Sequence, residues 1–231
     1  MSERVETAQR GLILSHNDEA PAGLLGEWLT EHSCRYEVHD LARAPVPAVA
    51  EFAFVASLGS ERSATDTDPP WVAAEIGLLR AAIAAEVPVL GLCFGGQALS
   101  IALGGEVVRA TKPQVGWFEL SERADGIPSG PWFHWHYEQL SVPPGGTALA
   151  HSEAGPAAFR HGRHLGLQFH PEATVEVIAT WSRSEEQLAK LGVIPAALRA
   201  ESELRAPLAR RHAWELFELW WQGLAVGAAS E

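Results

Sequence analysis

Apolar residues fall along this chain in two textures. In the first hundred residues, short apolar runs at 11–15, 52–56 and 87–92, with a further short segment at 35–39, alternate with longer stretches of helical apolar spacing. The short runs read as strands, and the nearly uncharged ones as strands buried on both faces of a sheet. The longer stretches, at 22–31, 71–85 and 97–103, read as helices. Strands alternating with helices imply a parallel sheet wound on both faces, and such sheets bind ligands at the carboxyl ends of their strands. The turn Ser57-Leu58-Gly59-Ser60 and Cys93, which directly follows the run at 87–92, both belong at that edge.

Beyond Gly104-Gly105 the spacing changes. Runs at 106–110, 116–120, 147–150, 157–160 and 165–169 are separated by Gly- and Pro-rich turns such as Pro143-Pro144-Gly145-Gly146, which predicts a strand-rich, partly antiparallel second half. From Thr174 the chain reads as helical to its end, punctuated by Pro195 and Pro207. The fold expected is α/β: flavodoxin-like and doubly wound, with helices on both faces of a mostly parallel sheet. Extra antiparallel strands and a helical C-terminal appendage complete it. One domain over 1–181 and a helical extension over 182–231, packed on or near it, fit the length of 231 residues.

Composition narrows the chemistry. A net charge of −12 argues against nucleic acid or an anionic membrane as partner. Two cysteines, Cys34 and Cys93, make no disulfide framework. The polar start, Met1 to Arg10, lacks an apolar signal core, and no run approaches the ~20 apolar residues of a membrane span. A reducing cytoplasm is therefore the expected compartment, where a thiol survives.

That thiol matters because of where Cys93 stands. A buried strand, a cysteine flanked by Gly91, Gly95 and Gly96, and then a helix form the order of a nucleophile elbow. In such a turn the helix N-terminus points its N–H groups at the sulfur and favours thiolate. The plain alternative is a structural cysteine beside a Gly-rich turn. A cysteine nucleophile needs a base, and the base an orienting acceptor. Among ten histidines, His170 stands out: it follows the run at 165–169 directly, and Glu172 lies two residues on across a stiffening proline. A second cluster, Trp132-Phe133-His134-Trp135-His136-Tyr137-Glu138, puts two histidines on one face if it is a strand. It lacks a third ligand set for a metal and reads better as a pocket wall or an aromatic-packed strand.

Gly91-Leu92-Cys93-Phe94-Gly95-Gly96-Gln97 together with Gln168-Phe169-His170-Pro171-Glu172 resembles the class I (triad) glutamine amidotransferases. Gly116-Trp117-Phe118 and the 134–138 stretch look most like the stand-alone, GMP-synthase-like members. The resemblance spans roughly residues 11–180. It implies Cys93 as nucleophile, His170 as base and Glu172 as its orienter. It implies an oxyanion hole from the backbone N–H groups of Phe94 and of the Gly59–Ser60 turn. Gln97 would contact the substrate's amino-acid end, and the backbone near Tyr137 and Glu138 would add to that contact. The chain departs from the family in its oxyanion turn, which reads Gly-Ser-Glu instead of Gly-Gly-Pro, in Glu138, which stands where Asp is usual, and in the tail from Ser182, which the family motifs do not cover.

The activity so implied is hydrolysis of the L-glutamine side-chain amide through a Cys93 thioester. No cofactor or metal takes part, and the ammonia passes to an acceptor enzyme on another chain. Two rivals remain: a γ-glutamyl peptidase using the same three residues, and a catalytically silent regulatory or binding subunit. The amphipathic stretch 207–223, with Trp214, Trp220 and Trp221, either covers the domain's own core or serves docking, to a partner or to a second copy in a homodimer.

Overall fold

The computed structural model describes residues 10–183 and 185–228. The polar start read above as lacking a signal core lies almost wholly outside them, as do the last three residues and position 184 of the proposed extension. The strands are β1 (Arg10–Ser15), β2 (Arg35–Asp40), β3 (Phe54–Ser57), β4 (Val89–Leu92), β5 (Val107–Phe118), β6 (Trp132–Leu140), β7 (Thr147–Ser152), β8 (Gly155–His161) and β9 (His164–Leu167). The helices are α1 (Gly23–Glu31), α2 (Trp71–Ala84), α3 (Phe94–Ala102), α4 (Val175–Trp181), α5 (Glu185–Lys190) and α6 (Pro195–Ala228).

Seven strands form one sheet in the order β2-β1-β3-β4-β9-β8-β7. The first five run parallel; β8 and β7 extend the sheet antiparallel. This is the mostly parallel, helix-covered sheet that the alternating pattern predicts. Successive strand residues point to opposite faces, and both faces are apolar. Ile13, Phe54, Ala56, Leu90, Leu92 and Leu165 face Trp28 of α1 and Phe217 and Trp220 of α6. Leu12, Leu14, Val55 and Val89 face Val72 and Leu79 of α2 and Leu99 of α3. Burial on both sides is why these strands read as continuous apolar runs.

Two details differ from the sequence reading. The runs at 106–110 and 116–120 are one strand, β5, which pairs with β6 in a separate antiparallel ribbon and shifts register between Arg109 and Gln114. The intervening Thr111-Lys112-Pro113 is exposed; a ribbon edge in solvent tolerates a proline that an interior strand would not. Likewise Pro207 does not break α6. Pro207 and Glu203, four residues earlier, are both exposed, so water can take the carbonyl that proline leaves without a donor. No helix among the described residues is long and apolar enough to cross a membrane.

Along α6, Ala213, Leu216, Phe217 and Trp220 are buried, and Trp220 meets Phe54 edge to face at 5.3 Å. The apolar face of the Trp-rich stretch is thus spent on the chain's own core. Phe217→Ala should lower unfolding free energy by about 3–5 kcal/mol, transfer and cavity losses together. Leu204→Ala on the same helix, at 82% exposure, should change it by no more than about 0.5 kcal/mol. Urea titration of both variants checks the contrast.

Candidate active site

Cys93 sits between β4 and α3 with φ 51° and ψ −105°, a backbone conformation that side-chain-bearing residues avoid. The chain turns there from strand to helix in a single residue. Such a turn needs a small neighbour: a Cβ on Gly95 would collide with both the carbonyl and the hydroxyl of Ser57 on β3. Gly95 instead donates its N–H to the Leu58 carbonyl at 3.2 Å, which seats the start of α3 on the end of β3. The first N–H groups of α3, Phe94 among them, have no partner within the helix and lie next to the Cys93 backbone. They supply a positive field near the sulfur.

His170 is the third residue after β9, the neighbour of β4 in the sheet. Its Nδ1 lies 2.8 Å from Glu172 Oε1, with both side chains buried. Its backbone N–H donates to the Phe133 carbonyl on β6 at 2.8 Å, and its ring and that of Trp181 meet edge to face with centroids 4.8 Å apart. Burial works to strip the charge from this imidazole. The negative charges of Cys93 and Glu172, with hydrogen bonds to both, outweigh it and push the pKa up to about 10. The sulfur also lies 3.6 Å from the Trp135 carbonyl and 3.8 Å from the side-chain amide of Gln168.

A cavity of about 640 Å³ opens at this edge. Cys93, His170, Gly59, Ser60, Gln97, Tyr137 and Glu138 all line it. Of the sequence-predicted site residues, only Phe94 and Glu172 do not: Phe94 is buried behind the turn, and Glu172 stands behind His170. Gly59 lies directly against the imidazole, where a Cβ would come within 2.7 Å of His170 Cε1. Gln97 donates to the Glu138 carbonyl at 3.1 Å, and its amide lies 3.4 Å from Gln168 Oε1. Glu138 accepts from Ser63 at 2.6 Å, and the Arg109 guanidinium lies over the Tyr137 ring.

Several participants escape sequence reasoning. Gln168, wholly buried, bridges Cys93, Gln97 and the Leu140 N–H; its place in the strand-end motif was the available signal. His134 and His136 do share a face of β6, 3.3 Å apart, and His136 lines the cavity. Burial pushes the pKa of both down, that of His136 to about 4, so both are neutral. Among the described residues, no three His, Cys, Asp or Glu side chains are placed to hold a metal ion. Behind the Gly59 turn lies a buried chain that nothing local announces: Ser57 donates to Glu75 at 2.6 Å, Glu75 pairs with His16 Nε2 at 2.6 Å, and His16 Nδ1 meets the Gly59 carbonyl at 3.0 Å. Glu75, the single acid in the mostly apolar α2, was the one hint.

The family model "Glutamine amidotransferase class-I" matches residues 62–180. The GMP synthase [glutamine-hydrolyzing] of Nitrosomonas eutropha is 31% identical over 175 residues, covering 66% of this chain and 32% of that protein. The imidazole glycerol phosphate synthase subunit HisH of Symbiobacterium thermophilum is 33% identical over 134 residues, covering 46% of this chain and 63% of that one. The crystal structure of a glutamine amido transferase from Methylobacillus flagellatus superposes with a TM-score of 0.84 at 27% identity, covering 94% of this chain and 95% of the other. The match thus takes in about a third of the GMP synthase's length. A cysteine at a strained strand-to-helix turn, a buried His–Glu pair beside it and the match over more than half the chain make this protein a member of the class-I glutamine amidotransferase family.

Proposed function

We propose that this chain hydrolyses the side-chain amide of glutamine and passes the ammonia to an acceptor enzyme on another chain. The observation that carries the reading is His170: it is hydrogen-bonded to Glu172, held cationic by negative neighbours, and shares a cavity with Cys93. The Cys93 thiolate attacks the amide carbon. The oxyanion that forms is held by the N–H groups of Phe94 and of the Gly59–Ser60 turn, each donor worth about 3–4 kcal/mol in the transition state. The C–N bond breaks as the His170 imidazolium gives its proton to the departing nitrogen, releasing ammonia and leaving a thioester. Neutral His170 then takes a proton from water, whose oxygen attacks the thioester carbon. Glutamate leaves and the thiolate returns. Glu172 keeps the imidazole oriented and favours its charged form.

The transfer of ammonia is inferred from the relatives. One is named a glutamine-hydrolysing synthase and the other a synthase subunit. Since the apolar face of α6 is occupied internally, the acceptor would approach the cavity mouth, at the carboxyl edge of the sheet. One observation favours a second reading, a γ-glutamyl peptidase. The cavity has the size of one that encloses a drug-sized ligand, more than one amino acid needs, and Arg62 and Arg109 line it beyond Gln97.

Rates measured side by side for glutamine and for a γ-glutamyl dipeptide decide between the two; the first reading predicts the larger kcat/KM for glutamine. Under either, Cys93→Ala should cut amide hydrolysis by at least about 1,000-fold. Wild-type turnover by that variant would overturn both. A further prediction follows from the charges. In the folded protein the His170 ring should stay protonated as pH rises past 6.5, losing its proton only near pH 10. Cys93→Ser removes the first of its two negative neighbours and should lower that midpoint. NMR titration of labelled histidine reads both.

A further inference from the structure

The buried chain from Ser57 through Glu75 to His16 ends on a single backbone atom, the carbonyl oxygen of Gly59. None of these three side chains lines the cavity. Each is nonetheless almost fully enclosed, with the His16 and Glu75 side chains at 1% and 0% exposure. Burying a carboxylate and an imidazole away from the substrate is costly unless the pair is well made, so its placement calls for a reason.

We propose that His16, held by Glu75, is a positioning residue that aims the Ser60 N–H into the oxyanion site by gripping the Gly59 carbonyl. The proposal rests on the amide-hydrolase reading above. The Gly59–Ser60 peptide is trans. In a trans peptide the C=O and N–H bonds point in opposite directions within one rigid plane. Fixing the oxygen on the His16 side therefore fixes the Ser60 N–H on the other side, where Ser60 borders the cavity with Cys93 and His170. Among the described residues the Ser60 N–H donates to no other group. The turn reads Gly-Ser-Glu, with no proline to stiffen it, so its peptide plane needs an external hold. A freely turning peptide would present its carbonyl to the oxyanion for part of the time.

Two further contacts support the assignment. The His16 ring stacks on Trp71 at 4.7 Å and meets Phe94 edge-on at 4.9 Å. One imidazole thus touches both segments expected to supply oxyanion donors. Burial would lower the His16 pKa, but the Glu75 charge and the hydrogen bonds outweigh it and raise it above the usual 6.5. Each ring nitrogen faces an acceptor, so the grip uses Nδ1–H donated to the Gly59 carbonyl while Nε2 pairs with Glu75.

Two replacements separate the two nitrogens. An asparagine amide at position 16 can reach where Nδ1 stands, and a glutamine amide where Nε2 stands. His16→Gln keeps the Glu75 contact and loses the grip; His16→Asn does the reverse. With glutamine as substrate, His16→Gln should lower kcat by about 100-fold, the scale of losing one oxyanion donor. KM should stay within about threefold, and iodoacetamide should alkylate Cys93 at the wild-type rate. His16→Asn should recover at least about tenfold of the lost kcat. A role confined to pairing Glu75 would reverse that order. The proposal is overturned if His16→Gln keeps wild-type kcat, if the two variants fall alike, or if alkylation slows in step with kcat. Should His16→Gln not fold, His16→Phe/Glu75→Gln keeps the ring stacking, buries no unpaired charge and should show the same fall in kcat; wild-type kcat in it overturns the proposal equally. A wild-type chain that turns over neither glutamine nor γ-glutamyl amides defeats the underlying reading of the site. An active wild type with indifferent His16 variants defeats the grip alone.

Discussion

At the end of β4 the Cys93 N–H donates to the Leu167 carbonyl, the last residue of β9, at 2.9 Å. This bond continues the sheet ladder one step past the strands and holds the strained residue between two chain segments that leave the sheet in different directions. Similar bonds flank it. Leu58 N–H reaches the Leu14 carbonyl at 3.1 Å, and Gly95 N–H reaches Leu58 at 3.2 Å. The turn after β3, the turn after β4 and the segment after β9 are thereby stitched at one edge. Each bond contributes only about 1 kcal/mol net. Together they hold a positive φ at Cys93 that isolated chain would abandon, a conformation that costs about 1–3 kcal/mol. The parallel order β3-β4-β9 is what brings Gly59, Cys93 and His170 to one place from distant parts of the sequence.

That dependence explains which parts of the molecule are legible in the sequence. The central strands announce themselves because both their faces are buried, and Cys93 because a strand, glycines and a helix must meet around it in a fixed local order. His170 and Glu172 sit two residues apart and form their contact within one turn, so a short motif contains the whole interaction. The His16–Glu75–Ser57 chain is the opposite case. Its partners stand 59 and 18 residues apart and meet only because β1, β3 and α2 pack together. Each of the three alone is an ordinary polar residue at a strand end or on a helix. The union of 106–110 and 116–120 into β5 was hidden for another reason: Lys112 and Pro113 deny a central strand but suit a solvent edge.

Two buried carboxylate–imidazole pairs stand on either side of the Gly59 turn, and their surroundings set them apart from the neutral histidines nearby. His134 and His136 have no acid partner, so burial, with the like charge of His170 beside them, pushes their pKa down and they lose their charge. His170 and His16 each have a carboxylate within 2.8 Å, and its charge pushes their pKa up instead. Such pairs add little net stability, since the attraction mostly repays desolvation, whereas removing one partner strands a charge in the interior. Stability is therefore a poor reason for a fold to keep two of them within reach of one turn. Direction is a better one. In the hydrolysis proposed above, His170 would present a proton at one point and recover it there, while the turn beside it held its donors steady as charge built on the substrate oxygen. A charged pair locked at both ends fixes position more tightly than a neutral hydrogen bond. On the readings proposed above, the two pairs would differ in what they steer, a side-chain proton in one case and a peptide plane in the other. Their common feature is that the carboxylate does not line the cavity: each acid stands behind the ring it holds.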